Sequence, residues 1–197
     1  MKKILVTYVT NAGSTAKVAE AVAAEIFKTH ANVEVLPLDK VATLDGYSAV
    51  VLGAPMILGW HRGALNFLKK NQSALSKLPV ALFITCMNMT QTNETNVNGV
   101  PIFVDEKLAR PPQKEGRLSF KERYSTVDNY LAPIFKSAPA VKPISVAFFG
   151  GSLQYFNLKW WAVLFALLII QATPGDRRNW AAINNWTRGL FPQEISK

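Results

Sequence analysis

The opening of the chain constrains its fold most. Lys3–Val9 (KILVTYV) reads as a buried strand and runs straight into Thr10-Asn11-Ala12-Gly13-Ser14-Thr15. Apolar residues then recur every four positions at Val18, Val22 and Ile26, with Lys17, Glu20 and Lys28 on the other side, the pattern of an amphipathic helix lying on a sheet. A hydroxyl-rich turn between a first strand and a first helix is a place to hold an anion. Thr10, Ser14 and Thr15 carry donors, and the free N–H groups of the helix start point the same way. Gly13 lets the backbone come close. The turn has no lysine to grip a nucleoside triphosphate and lacks the paired glycines of a dinucleotide fingerprint. What is left is a site for a single phosphate monoester.

Strand and helix patterns then alternate. Val33–Leu36, Ser48–Gly53 (SAVVLG), Leu78–Thr85 (LPVALFIT) and Ile144–Phe149 (ISVAFF) read as strands two to five. Arg62–Asn71 reads as a helix with Leu65 and Leu68 inward, and further helices are expected near 124–136, 158–172 and 179–190. This rhythm predicts an α/β fold in one domain over 1–197, a doubly wound five-stranded parallel sheet with helices on both faces. Residues 87–123 break the rhythm. They are rich in Asn, Thr, Pro and charge, and are expected to be an insertion between strands four and five, partly flexible.

In such sheets ligands sit beyond the carboxyl ends of the strands. Strand three leads there into Gly53-Ala54-Pro55-Met56-Ile57-Leu58-Gly59-Trp60, a loop of unusual apolar weight. Met56, Leu58 and Trp60 suit a flat aromatic ring, and backbone groups suit its polar edge. Strand four leads into Thr85-Cys86-Met87-Asn88-Met89, small and polar enough to hydrogen-bond the same ring. A phosphate turn and two ring-sized loops at neighbouring strand ends point to a flavin monophosphate, FMN.

The turn Thr10–Thr15, the Gly53–Gly59 loop and the strand rhythm resemble the flavodoxin superfamily. Gly53-Ala54-Pro55, Gly59-Trp60-His61 and Phe67-Leu68-Lys69-Lys70 resemble, more narrowly, the flavodoxin-domain group that contains menaquinone-dependent protoporphyrinogen oxidase. So do Gly150-Gly151-Ser152-Leu153 and Thr173-Pro174-Gly175-Asp176-Arg177-Arg178 with Trp180 and Trp186. The resemblance covers most of the chain outside 90–123. It implies that Thr10, Asn11, Ala12, Gly13, Ser14 and Thr15 bind the FMN phosphate. Pro55, Met56, Ile57, Leu58, Gly59 and Trp60 would flank the ring with Thr85, Cys86, Met87 and Asn88, joined by Gly151 and Ser152. It also implies an oxidoreductase acting on protoporphyrinogen, with a quinone as acceptor.

Charge near the ring separates that activity from an electron carrier serving a protein redox partner. Low-potential carriers of the superfamily are similar to one another in surrounding the flavin with acids, and negative charge disfavours the reduced anion. Here residues 53–62 contain no acid and end in Arg62, and 85–93 contain none either. The expectation is a higher potential, suited to accepting electrons. A domain that has lost its flavin is the non-redox alternative. His61 reads as a water-facing helix start or a proton relay, and Cys86 as a small core hydrophobe. No catalytic side chain is assigned, and no cluster has metal-ligand spacing.

Net charge is +9, yet residues 1–61 hold five basic and five acidic side chains, so the excess lies beyond them. No zinc-finger spacing, ribonucleoprotein signature or dense basic run supports nucleic acid. Solvated basic surface, an anionic membrane surface and an anionic substrate remain open. A single cysteine and the absence of a secretory signal fit a reducing, cytoplasmic compartment. Eleven consecutive apolar residues, Trp160–Ile170, are too few for a bilayer span, which takes about 20. They suit a buried helix, an oligomer interface, or a peripheral membrane or quinone contact through Trp160, Trp161 and Phe165. Arg177, Arg178 and Arg188 suit lipid head groups or porphyrin carboxylates.

Overall fold

The computed structural model describes residues 3–30, 32–57, 59–114, 116–153 and 175–191. The first half alternates β1 (Lys3–Tyr8), α1 (Ser14–Phe27), β2 (Val33–Pro37), β3 (Tyr47–Pro55), α2 (Arg62–Leu75) and β4 (Val80–Cys86). There follow β5 (Met89–Thr90), β6 (Asn96–Val97), β7 (Val100–Val104) and β8 (Ala109–Arg110). Then come α3 (Phe120–Tyr124), α4 (Val127–Ser137), β9 (Ser145–Gly150), β10 (Ser152–Leu153), β11 (Gly175–Asp176) and α5 (Trp180–Arg188). The expected helix over 158–172 lies outside the described residues.

The sheet runs in the order β2-β1-β3-β4-β9-β7-β6. Its first five strands are the five expected from the sequence, all parallel and in doubly wound order. The strand count is a correction: the sheet has seven strands, because the insertion extends it. β7 pairs parallel to β9, with Ile102 opposite Val146, and β6 closes the edge antiparallel. Val100–Val104 (VPIFV) is apolar enough for a strand, but Pro101 and the polar run before it mask the pattern. The helix expected near 124–136 is α4, which begins where Thr126 caps it by accepting from Asn129 N; the short α3 precedes it.

Each face buries its own cluster. Leu5, Leu52, Leu82, Ile84 and Phe148 pack under α2 and α4 through Leu68, Leu131 and Ile134. Val6, Val51, Phe83 and Phe149 pack under α1 and α5 through Val18, Val22, Ile26 and Ile183. Leu65, expected inward, is only partly buried against the first cluster. Full burial of one such side chain is worth about 1.5–3 kcal/mol, so these clusters dominate stability. Trp186 ties α5 down by donating 2.9 Å to Ser145 Oγ while meeting the Phe149 ring edge-on.

Candidate functional site at the carboxyl ends of the strands

The turn after β1 is built for close approach. Gly13 takes φ +82 at the head of α1, and a side chain there would be strained. Thr10 Oγ1 accepts from Gly13 N at 2.9 Å, which folds Thr10–Gly13 back on itself. Among the described residues no side chain caps α1, so its first N–H groups face outward with the positive end of the helix dipole. Thr10, Ala12 and Ser14 are half-buried, and Asn11 and Gly13 are exposed.

Thr15 behaves differently from the other two hydroxyl residues. It is 1% exposed, and its hydroxyl bonds Thr85 Oγ1 at 2.9 Å, joining the start of α1 to the end of β4. Ser14 Oγ accepts from Ser152 N at 2.8 Å and keeps its own O–H to donate.

The other loops converge on the same place. Gly151 N donates to Cys86 O at 2.9 Å, and Met56 N donates to Thr85 O at 2.9 Å. A Cβ at Gly151 would lie 3.6–3.8 Å from Met87 Sδ, Cys86 O and Ser14 Oγ. The ends of β1, β4 and β9 therefore share one small volume. The ring loop after β3 is arranged otherwise than its composition suggests. Pro55 and Met56 are buried, and Trp60 is 3% exposed, its indole donating to Ala54 O. Ile57, half exposed beside Gly59, is the apolar side chain this loop presents, while Leu58 lies outside the described residues.

His61 is the cap of α2, its Nδ1 accepting from Gly63 N at 3.1 Å, a role the sequence reading did not assign. Cys86 is buried, and burial first, then the charge of Asp105, pushes its thiol up to about 12. That fits a core hydrophobe and no thiolate chemistry. Asn88 O accepts from Tyr130 Oη at 3.4 Å, so α4 props the loop from behind.

Two further groups at this end carried no legible signal for their positions. Arg177 Nη1 donates to Met87 O at 2.6 Å, placing a guanidinium on the loop after β4. Asp105, at the end of β7, is fully buried. Its Oδ1 accepts from Asn179 Nδ2 and Lys107 N, and its Oδ2 has no partner among the described residues. The sequence offers Arg177 only as one of several late arginines. A cavity of about 520 Å³ opens beside the loop, between Met89, Thr92, Glu94, Ile102 and Val127. Among the described residues no group of His, Cys, Asp or Glu is placed to hold a metal ion. No helix among them is long and apolar enough to cross a membrane.

The family model of the flavodoxin domain matches residues 5–178, which spans both the turn and the loops just described. The chain belongs to the flavodoxin-domain family. No curated protein sequence matches it. Among solved structures, it is similar to the two-electron-reduced flavodoxin of Megasphaera elsdenii at 14% identity and TM-score 0.45, over 74% of this chain and 84% of that one. Rubredoxin oxygen:oxidoreductase of Desulfovibrio gigas matches at 10% identity and TM-score 0.50, over 96% of this chain and 35% of that one. A short-chain flavodoxin associated with a bacterial microcompartment matches at 14% identity and TM-score 0.48, over 96% and 97%. At these identities the likeness concerns the fold. FMN is the cofactor that the flavodoxin domain and its three strand ends support. The fit to this chain rests on the uncapped helix start, the left-handed Gly13 and the donors around them.

Proposed function

We propose that the chain is an FMN oxidoreductase that draws electrons from a reduced substrate and passes them to a quinone. The observation that carries this reading is the charge at the ring end. Arg177 brings a guanidinium to the Met87 carbonyl, while residues 53–62 and 85–93 bring no carboxylate, and of the acids nearby Asp176 is paired with Arg178 and Asp105 is buried against Asn179. Positive charge there favours a reduced, anionic ring and so an electron acceptor. Bound FMN would supply the redox chemistry itself. Around it Thr10, Asn11, Ala12, Gly13 and Ser14 would hold the phosphate, with Thr15 contributing its N–H because its hydroxyl is turned to Thr85. Pro55–Trp60 would flank the ring, chiefly through Ile57 and backbone. Thr85, Cys86, Met87 and Asn88 would meet its polar edge, and Gly151 and Ser152 would close the site beside Ser14.

The sequence resemblance to the menaquinone-linked group supplies protoporphyrinogen as the substrate class within this reading. A peripheral membrane contact through Trp160, Trp161 and Phe165 belongs to the same proposal. Those residues lie outside the described ones, but β10 and β11, which bracket them in sequence, pair beside Ser14.

The alternative is an FMN electron carrier for a protein partner, and family membership favours it equally. The experiment that decides starts with quenching of FMN, FAD and riboflavin fluorescence by the protein. Tight binding of FMN is expected. Reduced protein is then reoxidised by a soluble menaquinone analogue or by redox proteins. Faster reoxidation by the quinone supports the oxidoreductase, and faster reoxidation by the proteins sinks it.

A further inference from the structure

The insertion presents a surface that neither the fold nor the cofactor site explains. Phe120, the first residue of α3, is 88% exposed, and Tyr124, one turn later on the same side, is also exposed. Tyr124 meets the Tyr130 ring edge-on, but a phenylalanine as bare as Phe120 loses favourable burial unless something covers it. Bases surround them. From Glu106 to Asp128 the chain carries six bases, Lys107, Arg110, Lys114, Arg117, Lys121 and Arg123, against four acids, Glu106, Glu115, Glu122 and Asp128, an excess of two.

Among the described residues Glu122 offsets one of these charges without pairing with any of the bases. Its carboxylate is turned to the backbone, accepting from Ser119 N at 2.7 Å and from Gln113 N at 2.6 Å in a capping box. Those bonds also tie the turn around 113 to α3. Arg110 joins them through β8, which pairs with β5. Thr90 Oγ1 donates to Glu122 O, locking α3 onto the segment that leaves the loop at Asn88. The basic, aromatic face is thereby anchored beside the carboxyl end of β4.

We infer that this face docks the protein on an anionic lipid bilayer, Phe120 entering the acyl boundary and the arginines and lysines meeting head groups. Charge complementarity favours a negative partner. The shape of the apolar part selects a bilayer over an acidic protein. A protein interface needs a broad patch with a dry centre, whereas here one nearly bare phenylalanine and a half-exposed Leu118 and Tyr124 stand among bases. For the oxidoreductase proposed above, this orientation turns the ring end toward the phase where a lipid-soluble quinone resides. Only that consequence rests on the functional reading, and the lipid contact stands by itself.

The test is cosedimentation of the full chain with phosphatidylcholine vesicles, pure or containing roughly a third phosphatidylglycerol. Partitioning about tenfold or more higher on the anionic vesicles is expected, and it should fall steeply at high salt. Phe120→Ser and the pair Arg117→Ser/Arg123→Ser should each lower it about tenfold. These side chains are exposed, so FMN quenching and melting should stay unchanged and report an intact fold and cofactor site. No vesicle binding, equal binding to both vesicles, or binding untouched by both substitutions overturns the inference. So does a result in which the variants slow only reoxidation by a soluble acidic redox protein, with no vesicle binding in any of them.

Discussion

The two ends of the sheet are held together in different ways. At the amino ends of the strands, charges are matched. Lys3 pairs with Glu34, which also accepts from Tyr47 Oη, and Glu25 lies between Lys28 and Arg188 at 2.6 and 2.7 Å. At the carboxyl ends, groups are stitched loop to loop by hydrogen bonds to backbone and hydroxyls, Ser152 to Ser14, Thr15 to Thr85 and Arg177 to Met87, while the ion pair there, Asp176 with Arg178, stays within one segment. The buried side-chain atoms without a partner among the described residues, Thr7 Oγ1 and Asp105 Oδ2, lie in this half of the molecule. An end that closes on itself through ion pairs is a finished structure. One whose helix start is uncapped and whose carboxylate is half satisfied has kept hydrogen-bonding capacity for a ligand.

The sharpest way to break the contrast is to push the stitched loops apart. A Cβ on Gly150 would lie 2.0 Å from Arg177 O, a backbone atom that cannot swing aside. Gly150→Ala should therefore displace β11 and the Arg177 backbone that follows it and cost about 3 kcal/mol, with loss of FMN binding. Urea midpoints and flavin quenching check both. A variant that melts and binds like the wild type would show that the carboxyl end is looser than its geometry.

Next is the buried hydroxyl pair. Thr15→Val keeps shape but leaves Thr85 Oγ1 without its partner, for a loss of about 1–3 kcal/mol. Adding Thr85→Val removes the orphan and should restore most of the stability. A double variant no better than the single one would mean that Thr85 was satisfied elsewhere.

This pair also marks the limit of what the sequence discloses. The strand–turn–helix opening and the order of five strands were legible because period and turn chemistry are local. Which of three hydroxyls faces inward was not, since Thr15 meets Thr85 across 70 positions. Met56 and Trp60 looked like ring-packing residues for the same reason. Apolar residues in a loop advertise burial without saying whether ligand or core will bury them, and here the core does. The edge strand β7 was hidden behind polar neighbours, and Arg177 by a distance of 90 positions from Met87. His61 escaped notice as a cap because histidine is not among the preferred capping residues.

Ser14→Ala probes the turn more gently. It removes the acceptor for Ser152 N and the O–H available to a phosphate, and should weaken FMN by about 1 kcal/mol, roughly fivefold. Riboflavin, which lacks the phosphate, should bind as before. Equal weakening of both ligands would move Ser14 from phosphate holding to loop positioning.

The smallest effect belongs to the amino end. Hydrogen bonds from Lys28 and then Arg188 hold the Glu25 carboxyl below its ordinary value near 4.5, against the opposing effect of desolvation. A depressed folded-state value means that this stabilisation is fully present above pH 4.5 and drains away as pH falls through the lower, folded value. Lys28 and Arg188 are 61% and 65% exposed, so solvent and salt screen the interaction and keep its contribution slight. Other carboxylates, Glu34 and Asp176 among them, are lowered too and contribute to the acid slope of the wild type. The difference between wild type and Glu25→Gln isolates this one. Melting temperatures should diverge at neutral pH and converge once pH has fallen through the lowered, folded-state value, and the gap should narrow in high salt. Parallel acid slopes for the two proteins would mean that the amino end, like the carboxyl end, is held mainly by packing and hydrogen bonds rather than by matched charge between elements, and the contrast between them would then rest on ligand capacity alone.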